Sequence, residues 1–490
     1  MERSNVETSQ PNIKAARAYK TIDSANTLSL TGKKIHFIGV GGVGMSGLAK
    51  LMIQNKAVIS GSDQIHSAVT DNLSDLGADI RIGHNFDNLS KQTDAVVYSA
   101  AIKDDNPEII TAKNQGLQIY KYAQMLGILS NHYETIAIAG THGKSTAAAW
   151  LTYCLKNAGI DTNFLIGADI TQLQTSSGVG NSGLFIAEAC EYDRSFLNLN
   201  PKIACILNID DDHLDYYKDT NDIIDSFTQF ALNTEPTGLL IANSQDPNTA
   251  KLLSRLPAGF RCRTFGFDKN CNFSAQNIQL IDRLYSFDLY QNEKFFVTTQ
   301  ISLPGKHNIL NALAVVAIAA NLGIEIKTIL NLLGAFSGID RRLMLKEKFN
   351  DITVIDDYAH HPTEIKASLE AIRQKYQPKK LCCVFQPHQY SRTRFLLDDF
   401  AKSFKLADIT IIPEIYFVRD TQQSKKQINS LVLVEKIKNN HSDAVFIDSF
   451  ENICNYLKEN VTAGDLVVTM GAGDIWKVAD EYIQWLRTNS

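Results

Sequence analysis

A chain of 490 residues is longer than one ordinary hydrophobic core sustains and suits three domains of roughly 100–200 residues each. Its 44% hydrophobic and 21% charged residues and formal net charge of −5 exclude fibrous and disordered classes and argue against a nucleic-acid binder, which is ordinarily basic. No apolar run approaches the roughly 20 residues a bilayer needs, the first 30 residues read as a polar, flexible extension without a signal-peptide core, and the eight cysteines form no C-x-x-C pair, which disfavours zinc knuckles and disulfide frameworks and suits a reducing cytoplasm.

Strand-length apolar runs alternate with helical patterns along the chain, the signature of parallel sheets flanked by helices. The first block opens with KKIHFIGV (33–40), a helix near 43–55, a strand AVIS (57–60) and another at DAVVYSA (94–100). After its first strand stand Gly39, Gly41, Gly42 and Gly44, then Met45 and Ser46, with Asp63 about 20 residues on, which fits a dinucleotide fingerprint. Glycines there allow a tight turn and close approach to a pyrophosphate, so any nucleotide diphosphate suits this helix N-terminus, a nicotinamide cofactor included.

The second block begins at TIAIAG (135–140) and runs through GLFIAEA (183–189), KIACILNID (202–210) and TGLLIAN (237–243). Between its first strand and an alanine-rich helix lies Gly140-Thr141-His142-Gly143-Lys144-Ser145-Thr146, a phosphate loop two residues shorter than the usual one. Backbone amides and the helix N-terminus face the phosphates, Lys144 reaches the β and γ oxygens, and Ser145 offers a hydroxyl to Mg²⁺. Ligands sit at the carboxyl edge of a parallel sheet, where Glu188 ends one strand and Asp210, Asp211, Asp212 and His213 end the next. Glu188 and His213 are the favoured metal partners, and Glu191 and Asp211 are expected to be solvated loop carboxylates. A simple dehydrogenase has no use for this second loop. From about 260 to 303, shorter runs (FRCRTFGF, RLYSFDLY, EKFFVTTQISL) predict antiparallel strands beside the main sheet.

The third block follows GIDRRLM (338–344) with ITVIDD (352–357), LCCVFQ (381–386), DITIIP (408–413), AVFID (444–448) and DLVVTMGAGD (465–474). IDDYAHHPTEI gathers Asp356, Asp357, Tyr358, His360, His361 and Glu364 at a strand-to-helix turn, where Pro362 suits the first helical turn. Adjacent histidines seldom face one ion, so anchoring of substrate or ATP is the expected role. After the next strand FQPHQYSRTR offers His388, Arg392 and Arg394; a guanidinium fork is a natural partner for a carboxylate. The expected organisation is α/β throughout, with a Rossmann-like domain over 31–132, a phosphate-loop α/β domain carrying added antiparallel strands over 133–337 and a second Rossmann-like domain over 338–490.

In order and spacing, GVGGVGMSG, AGTHGKST, EACEYDRSF, NIDDDHLDYY, LPGKHNILNALA, GIDRR, DDYAHHPTE, FQPHQYSRT and MGAGDIW closely resemble the Mur ligases, from about Lys33 to Trp476. The resemblance implies domains that bind in turn a UDP-sugar, ATP and an amino acid. It implies transfer of the γ-phosphate of ATP to the carboxylate of UDP-N-acetylmuramate and attack of L-alanine on the acyl phosphate, with Mg²⁺ or Mn²⁺, in a cytoplasmic monomer or weak homodimer that builds peptidoglycan precursors. By position it makes Lys144, His213, His360 and Arg392 catalytic. It assigns Gly140 to Thr146, with His307, Asn311, Arg341 and Arg342, to ATP. Ser145, Glu188 and His213 fall to the metal, Gly39, Gly41, Gly42, Gly44, Met45, Ser46 and Asp63 to the UDP-sugar, and Tyr358, His388 and Arg392 to the amino acid. Three positions depart from the family pattern. Gln389 and Tyr122 stand where arginines are common, and DSFTQF (225–230) lacks the lysine that sister ligases carbamylate. Within the same fold, a recycling ligase that attaches a ready-made peptide is the chief alternative, although it normally departs from the PHxYSRT pattern seen at 387–393. A nicotinamide oxidoreductase and a non-catalytic nucleotide sensor are remoter ones.

Overall fold

The computed structural model describes residues 30–418, 420–440 and 443–489, so most of the N-terminal extension lies outside the described residues. Three sheets organise the chain. The first is wholly parallel, in the order Asp79–Ile82, Val58–Asp63, Lys34–Ile38, Ala95–Tyr98, Gln118–Lys121. Strand order reverses beside Lys34–Ile38, which opens a crevice at its carboxyl end. Gly39 fills the turn there with φ +77, and the helix Val43–Gln54 follows.

The central sheet has a parallel core in the order Leu239–Asn243, Ile203–Ile206, Glu134–Ala139, Leu184–Ala189, Asn163–Ile170. Ile136 and Ile138 face one hydrophobic cluster and Ala137 and Ala139 the other. Burial on both faces is why these strands read as unbroken apolar runs. The helix Lys144–Asn157 is buried from Ala147 to Leu155, and the Trp150 ring stacks on Phe336. The expected antiparallel insertion is confined to Phe273–Ile281, Leu284–Gln291 and Lys294–Gln300. The preceding run departs from expectation: Cys262–Gly266 pairs parallel with Leu239–Asn243 and continues the main sheet. Asn163–Ile170 and the edge strand Thr175–Gly178 carry weak apolar alternation and escaped the sequence pattern, as did Asp79–Ile82 and Gln118–Lys121.

The third sheet runs Met344–Phe349, Ile352–Asp357, Leu466–Met470, Leu381–Phe385, Ile409–Ile412, Ala444–Phe446, parallel except for its first strand. Near-continuous burial of LCCVF and LVVTM again reflects helices on both faces. The first and central sheets are joined through the Val43–Gln54 helix and the helix Tyr122–Ser130, which share one hydrophobic cluster with Phe185, Phe196 and Phe230. A side chain on Gly127 would come within 2.3 Å of the Asn198 carbonyl oxygen, so the backbones meet there only because a glycine is present. DSFTQF lies on the helix Thr220–Leu232, where Phe227 and Phe230 pack on Phe196. Among the described residues no helix is long and apolar enough to cross a membrane.

Candidate active site

Gly140 (φ +148) and Gly143 (φ +84) adopt backbone conformations that side chains resist, which wraps the phosphate loop around the start of the helix Lys144–Asn157. A Cβ on Gly143 would lie 2.8 Å from Asn311 Oδ1, so loop and Asn311 are in close contact. Lys144 folds back onto its own loop, donating to the carbonyls of Gly140 (2.6 Å) and Thr141 (3.1 Å) and pairing with Glu191 at 2.9 Å. Burial alone would favour the neutral amine, but the carboxylates of Glu191 and Glu188 raise its pKa above the ordinary lysine value. Glu191 is therefore not the solvated carboxylate expected. It is buried against Lys144, with its Oε1 3.7 Å from His213 Nε2. Glu188 accepts the Gly167 N–H at 2.7 Å, and His213 is held at φ +56, a strained conformation for a non-glycine residue.

A cavity of about 550 Å³ opens beside the loop, between the central and third sheets and within the range usual for small-molecule sites. His142, Gly143, Thr146, His307, Asn311 and Arg342 line it. Burial lowers the His307 pKa to about 4, leaving a neutral ring. Asp357, which the sequence singled out without a specific role, also lines the cavity. Its buried Oδ2 has no hydrogen-bond partner, and burial pushes its carboxyl up to about 6 against the pull of Arg342. Arg341 and Arg342 part company. Arg342 pairs with Glu364 at 3.3 Å and faces the cavity. Arg341 does not line it; its guanidinium is bound by buried Asp356 (2.9 Å) and by the Gly471 and Gly473 carbonyls. Tyr358 lies within 5.1 Å of both guanidinium groups.

The turn Asn208–His213 is where the third domain docks. Arg392 Nε and Nη2 both donate to Asp212 Oδ1, at 3.0 and 2.9 Å, with the two side chains only 7% and 8% exposed. Burial would raise the Asp212 pKa, yet Arg392 holds it well below the usual carboxylate range. His361 donates from Nε2 to the Asp211 carbonyl at 3.0 Å, the Thr363 hydroxyl donates to Asp210 at 2.8 Å, and His142 sits between Asp210 (3.1 Å) and Glu364 (3.3 Å). Arg392 Nη1 reaches toward His388 Nδ1 at 3.3 Å, and the His388 ring stacks on Tyr416. His360 donates from Nδ1 to the Tyr358 carbonyl at 3.0 Å; burial, reinforced by Arg392, lowers its pKa to about 4. Gln389 is buried at φ +72, its backbone N–H donating to the Tyr416 carbonyl. Asp212 and Glu364, named from the sequence without a partner, thus find one in Arg392 and Arg342, and adjacency to His213 and His360 was their signal. Nothing along the chain linked Glu191 to Lys144, and Tyr416 had no signal.

Between the first domain and the central one a second cavity, about 420 Å³, is lined by Gly42, Gly44 and Met45 together with Lys121, Tyr122 and Asp193. Asp63 accepts the Gly41 N–H at 2.8 Å, which steadies the glycine turn. Ser46 turns inward and donates to the Val43 carbonyl, outside the cavity lining. Tyr122 covers Gly44, where an added Cβ would meet its ring at 3.0 Å.

Three family descriptions match the chain in succession: "Mur ligase family, catalytic domain" over 34–134, "Mur ligase middle domain" over 138–319 and "Mur ligase, glutamate ligase domain" over 341–473. A UDP-N-acetylmuramate–L-alanine ligase of Clostridium novyi (strain NT) is 42% identical over 462 residues, covering 94% of this chain and 99% of its own. Among solved structures, a UDP-N-acetylmuramate-alanine ligase from Thermotoga maritima superposes with a TM-score of 0.79 at 27% identity, covering 93% of this chain and all of its own. A murein peptide ligase from Psychrobacter arcticus 273-4 gives 0.69 at 27% identity, covering 93% and 99%.

Proposed function

The chain belongs to the Mur ligase family, and from that membership we infer that it is an ATP-dependent ligase joining L-alanine to the carboxylate of UDP-N-acetylmuramate in peptidoglycan synthesis. The observation that carries the inference is the junction at Asn208–His213, whose Asn208 holds the His142 N–H of the phosphate loop and whose Asp212 holds Arg392 of the third domain, with His388 and His360 beside that arginine. A carboxylate is a poor electrophile until phosphorylated, and the two anions must be brought together before that occurs. Such a reaction calls for fixed positive charge on one side and an amine acceptor on the other, with water excluded between them.

The parts fit a nucleoside triphosphate. The turn about Gly140 and Gly143 leaves room only for backbone, Lys144 is held charged beside the loop carbonyls that line it, and the neutral His307 and Asn311 stand along the cavity at the far end of the same loop. The unpartnered Asp357 oxygen offers an acceptor for a nucleotide hydroxyl. Ser145, Glu188 and His213 supply a hydroxyl, a carboxylate and an imidazole, a donor set suited to Mg²⁺ or Mn²⁺. Such an ion, when bound, neutralises phosphate charge during transfer. Lys144 exchanges its loop carbonyls for phosphate oxygens and steadies the transferring group. His360 donates Nδ1–H to a backbone carbonyl, which leaves Nε2 unprotonated and able to take the proton the attacking amine releases. Arg392, with one edge on Asp212 and its Nη1 toward His388, forms with that histidine the anchor for the amino-acid carboxylate. The glycine turn from Gly39 to Met45, with the adjoining cavity, holds the UDP diphosphate. We assign the three functions to residues 31–132, 133–337 and 338–490 and place the enzyme in the cytoplasm as a monomer or weak homodimer.

Phosphate release from ATP, with product mass as a second readout, tests the assignment. It is expected only when UDP-N-acetylmuramate and L-alanine are both present. Equal release without either substrate, or a preference for a peptide over alanine, would refute it.

A further inference from the structure

Among the described residues, three ligand-bearing side chains from three distant segments converge: His142 of the phosphate loop, Asp210 of the following turn and His361 at the start of the third-domain helix Pro362–Tyr376. Their ligand atoms all lie within 4.8 Å of one another. His142 Nε2 is 3.1 Å and His361 Nδ1 is 3.9 Å from the same oxygen, Asp210 Oδ2. A tetrahedral ion with bonds of about 2.1 Å places its ligand atoms about 3.4 Å apart, and the two separations bracket that value.

The outer partners of both imidazoles select the nitrogens that would bind. A carbonyl only accepts, so His361 Nε2, 3.0 Å from the Asp211 oxygen, carries the proton and leaves Nδ1 as the lone-pair nitrogen. The Thr363 N–H pointing at Nδ1 from 3.3 Å agrees with that tautomer. On the other ring both nitrogens face carboxylates, Asp210 Oδ2 at 3.1 Å from Nε2 and Glu364 Oε1 at 3.3 Å from Nδ1, so without an ion both carry protons; an ion that takes Nε2 displaces the proton there, while Glu364 keeps the one on Nδ1. A carboxylate or carbonyl behind each histidine is the arrangement that orients imidazoles on metals. His142 and Asp210 also line the large cavity, so water or a ligand has access to the remaining coordination positions. The adjacent His360 takes no part. Its Nδ1 goes to the Tyr358 carbonyl, in keeping with the expectation that neighbouring histidines do not share an ion.

We propose that His142, Asp210 and His361 form a site for a zinc-class divalent cation, separate from the hydroxyl–carboxylate–imidazole set that suits magnesium, and that an ion bound there clamps the third domain onto the phosphate loop. Two imidazoles and one carboxylate favour zinc, cobalt or nickel over magnesium. Because the ligands come from both sides of the domain junction, occupancy opposes separation of the two domains. The consequence for turnover rests on the ligase reading above; the binding itself does not.

The test uses the full-length protein stripped of metal, with magnesium in large excess, titrated with Co²⁺ while the visible d–d absorption of low-coordinate cobalt is followed. Wild type is expected to develop the band at one equivalent and to lose it on addition of Zn²⁺. His361→Asn and Asp210→Asn, each confirmed as folded by its melting transition, are expected to lose it, and Glu364→Gln to weaken binding by about 10–100-fold. A band unchanged in His361→Asn, or in Asp210→Asn should the former not fold, overturns the site, as does wild-type protein that shows no band. Zinc inhibition of turnover that is reversed by chelator and absent in His361→Asn supports the clamp. Wild-type protein that binds cobalt but never releases phosphate under any substrate condition refutes the ligase reading and leaves the site standing.

Discussion

Replacement of Asp212 by alanine probes the domain junction where its contacts are most concentrated. The Arg392 guanidinium puts two donors on one carboxylate oxygen, and neither side chain is more than 8% exposed. Removing one member of such a pair leaves a buried charge without compensation, at a cost of about 3–5 kcal/mol. Because the bridge joins two domains, the cost falls first on docking and only secondarily on the fold of either domain. It corresponds to a shift of about 10²-fold to 10³-fold or more between docked and undocked populations. Other ties include His361 to the Asp211 carbonyl, Thr363 to Asp210, His142 to Glu364 and the contacts of Arg283 with Gln374 and Lys375. As ordinary hydrogen bonds they are worth about 1 kcal/mol each, somewhat more where a charge is involved, too little to hide the loss. Two measurements report it: small-angle scattering of the ligand-free protein, expected to show an increased radius of gyration, and steady-state kinetics, in which kcat/KM for alanine falls by about 10²-fold or more. Unaltered scattering together with an unaltered alanine KM would show that the bridge neither holds the domains nor orients Arg392.

Lys144→Ala removes the cation beside Glu191 and the loop carbonyls; turnover should fall by at least about 10²–10³-fold, the scale of losing one preorganised charge partner, and a near-normal rate of phosphate release would remove the lysine from the reaction. Glu108 is fully buried in the first domain, and although burial opposes its ionisation, hydrogen bonds from His36, Ser62 and Asn88 lower its pKa from 4.5 to about 2. A depressed folded-state pKa contributes stability above the unfolded value and loses it as pH falls, so thermal stability should drop by about 3 kcal/mol between pH 4.5 and 2. In Glu108→Gln that acid-dependent component should be missing from melting curves. Gly127→Ala places a Cβ 2.3 Å from a backbone carbonyl at the first-to-central domain contact, and a loss of about 1–3 kcal/mol is expected; denaturant titration that shows no loss would mean the helix shifts freely.

Much of the architecture was legible without coordinates because its signals are local. Buried parallel strands leave unbroken runs such as TIAIA and LCCVF, helix starts follow glycine turns, and the phosphate loop needs its residues adjacent in sequence because one turn of backbone must wrap one group. Glu188 and His213 were proposed by the same logic, since residues that follow parallel strands share the carboxyl edge, and their strands flank Glu134–Ala139. Strands at the sheet margins, Asp79–Ile82 and Thr175–Gly178 among them, were missed because partial exposure dilutes the apolar pattern. The role of 262–266 was misjudged because alternation does not distinguish an edge of a parallel sheet from an antiparallel ladder.

The sequence by itself determined the α/β class and the phosphate loop with its lysine and hydroxyl, because each depends on periodicity or on neighbours along the chain. Tertiary structure alone decided which carboxylate meets which cation: Glu191 with Lys144, Asp212 with Arg392 across 180 residues, Arg341 with Asp356 rather than the cleft. Ion pairing and burial are fixed by which segments the fold brings within a few ångströms, and distance along the chain carries no record of that.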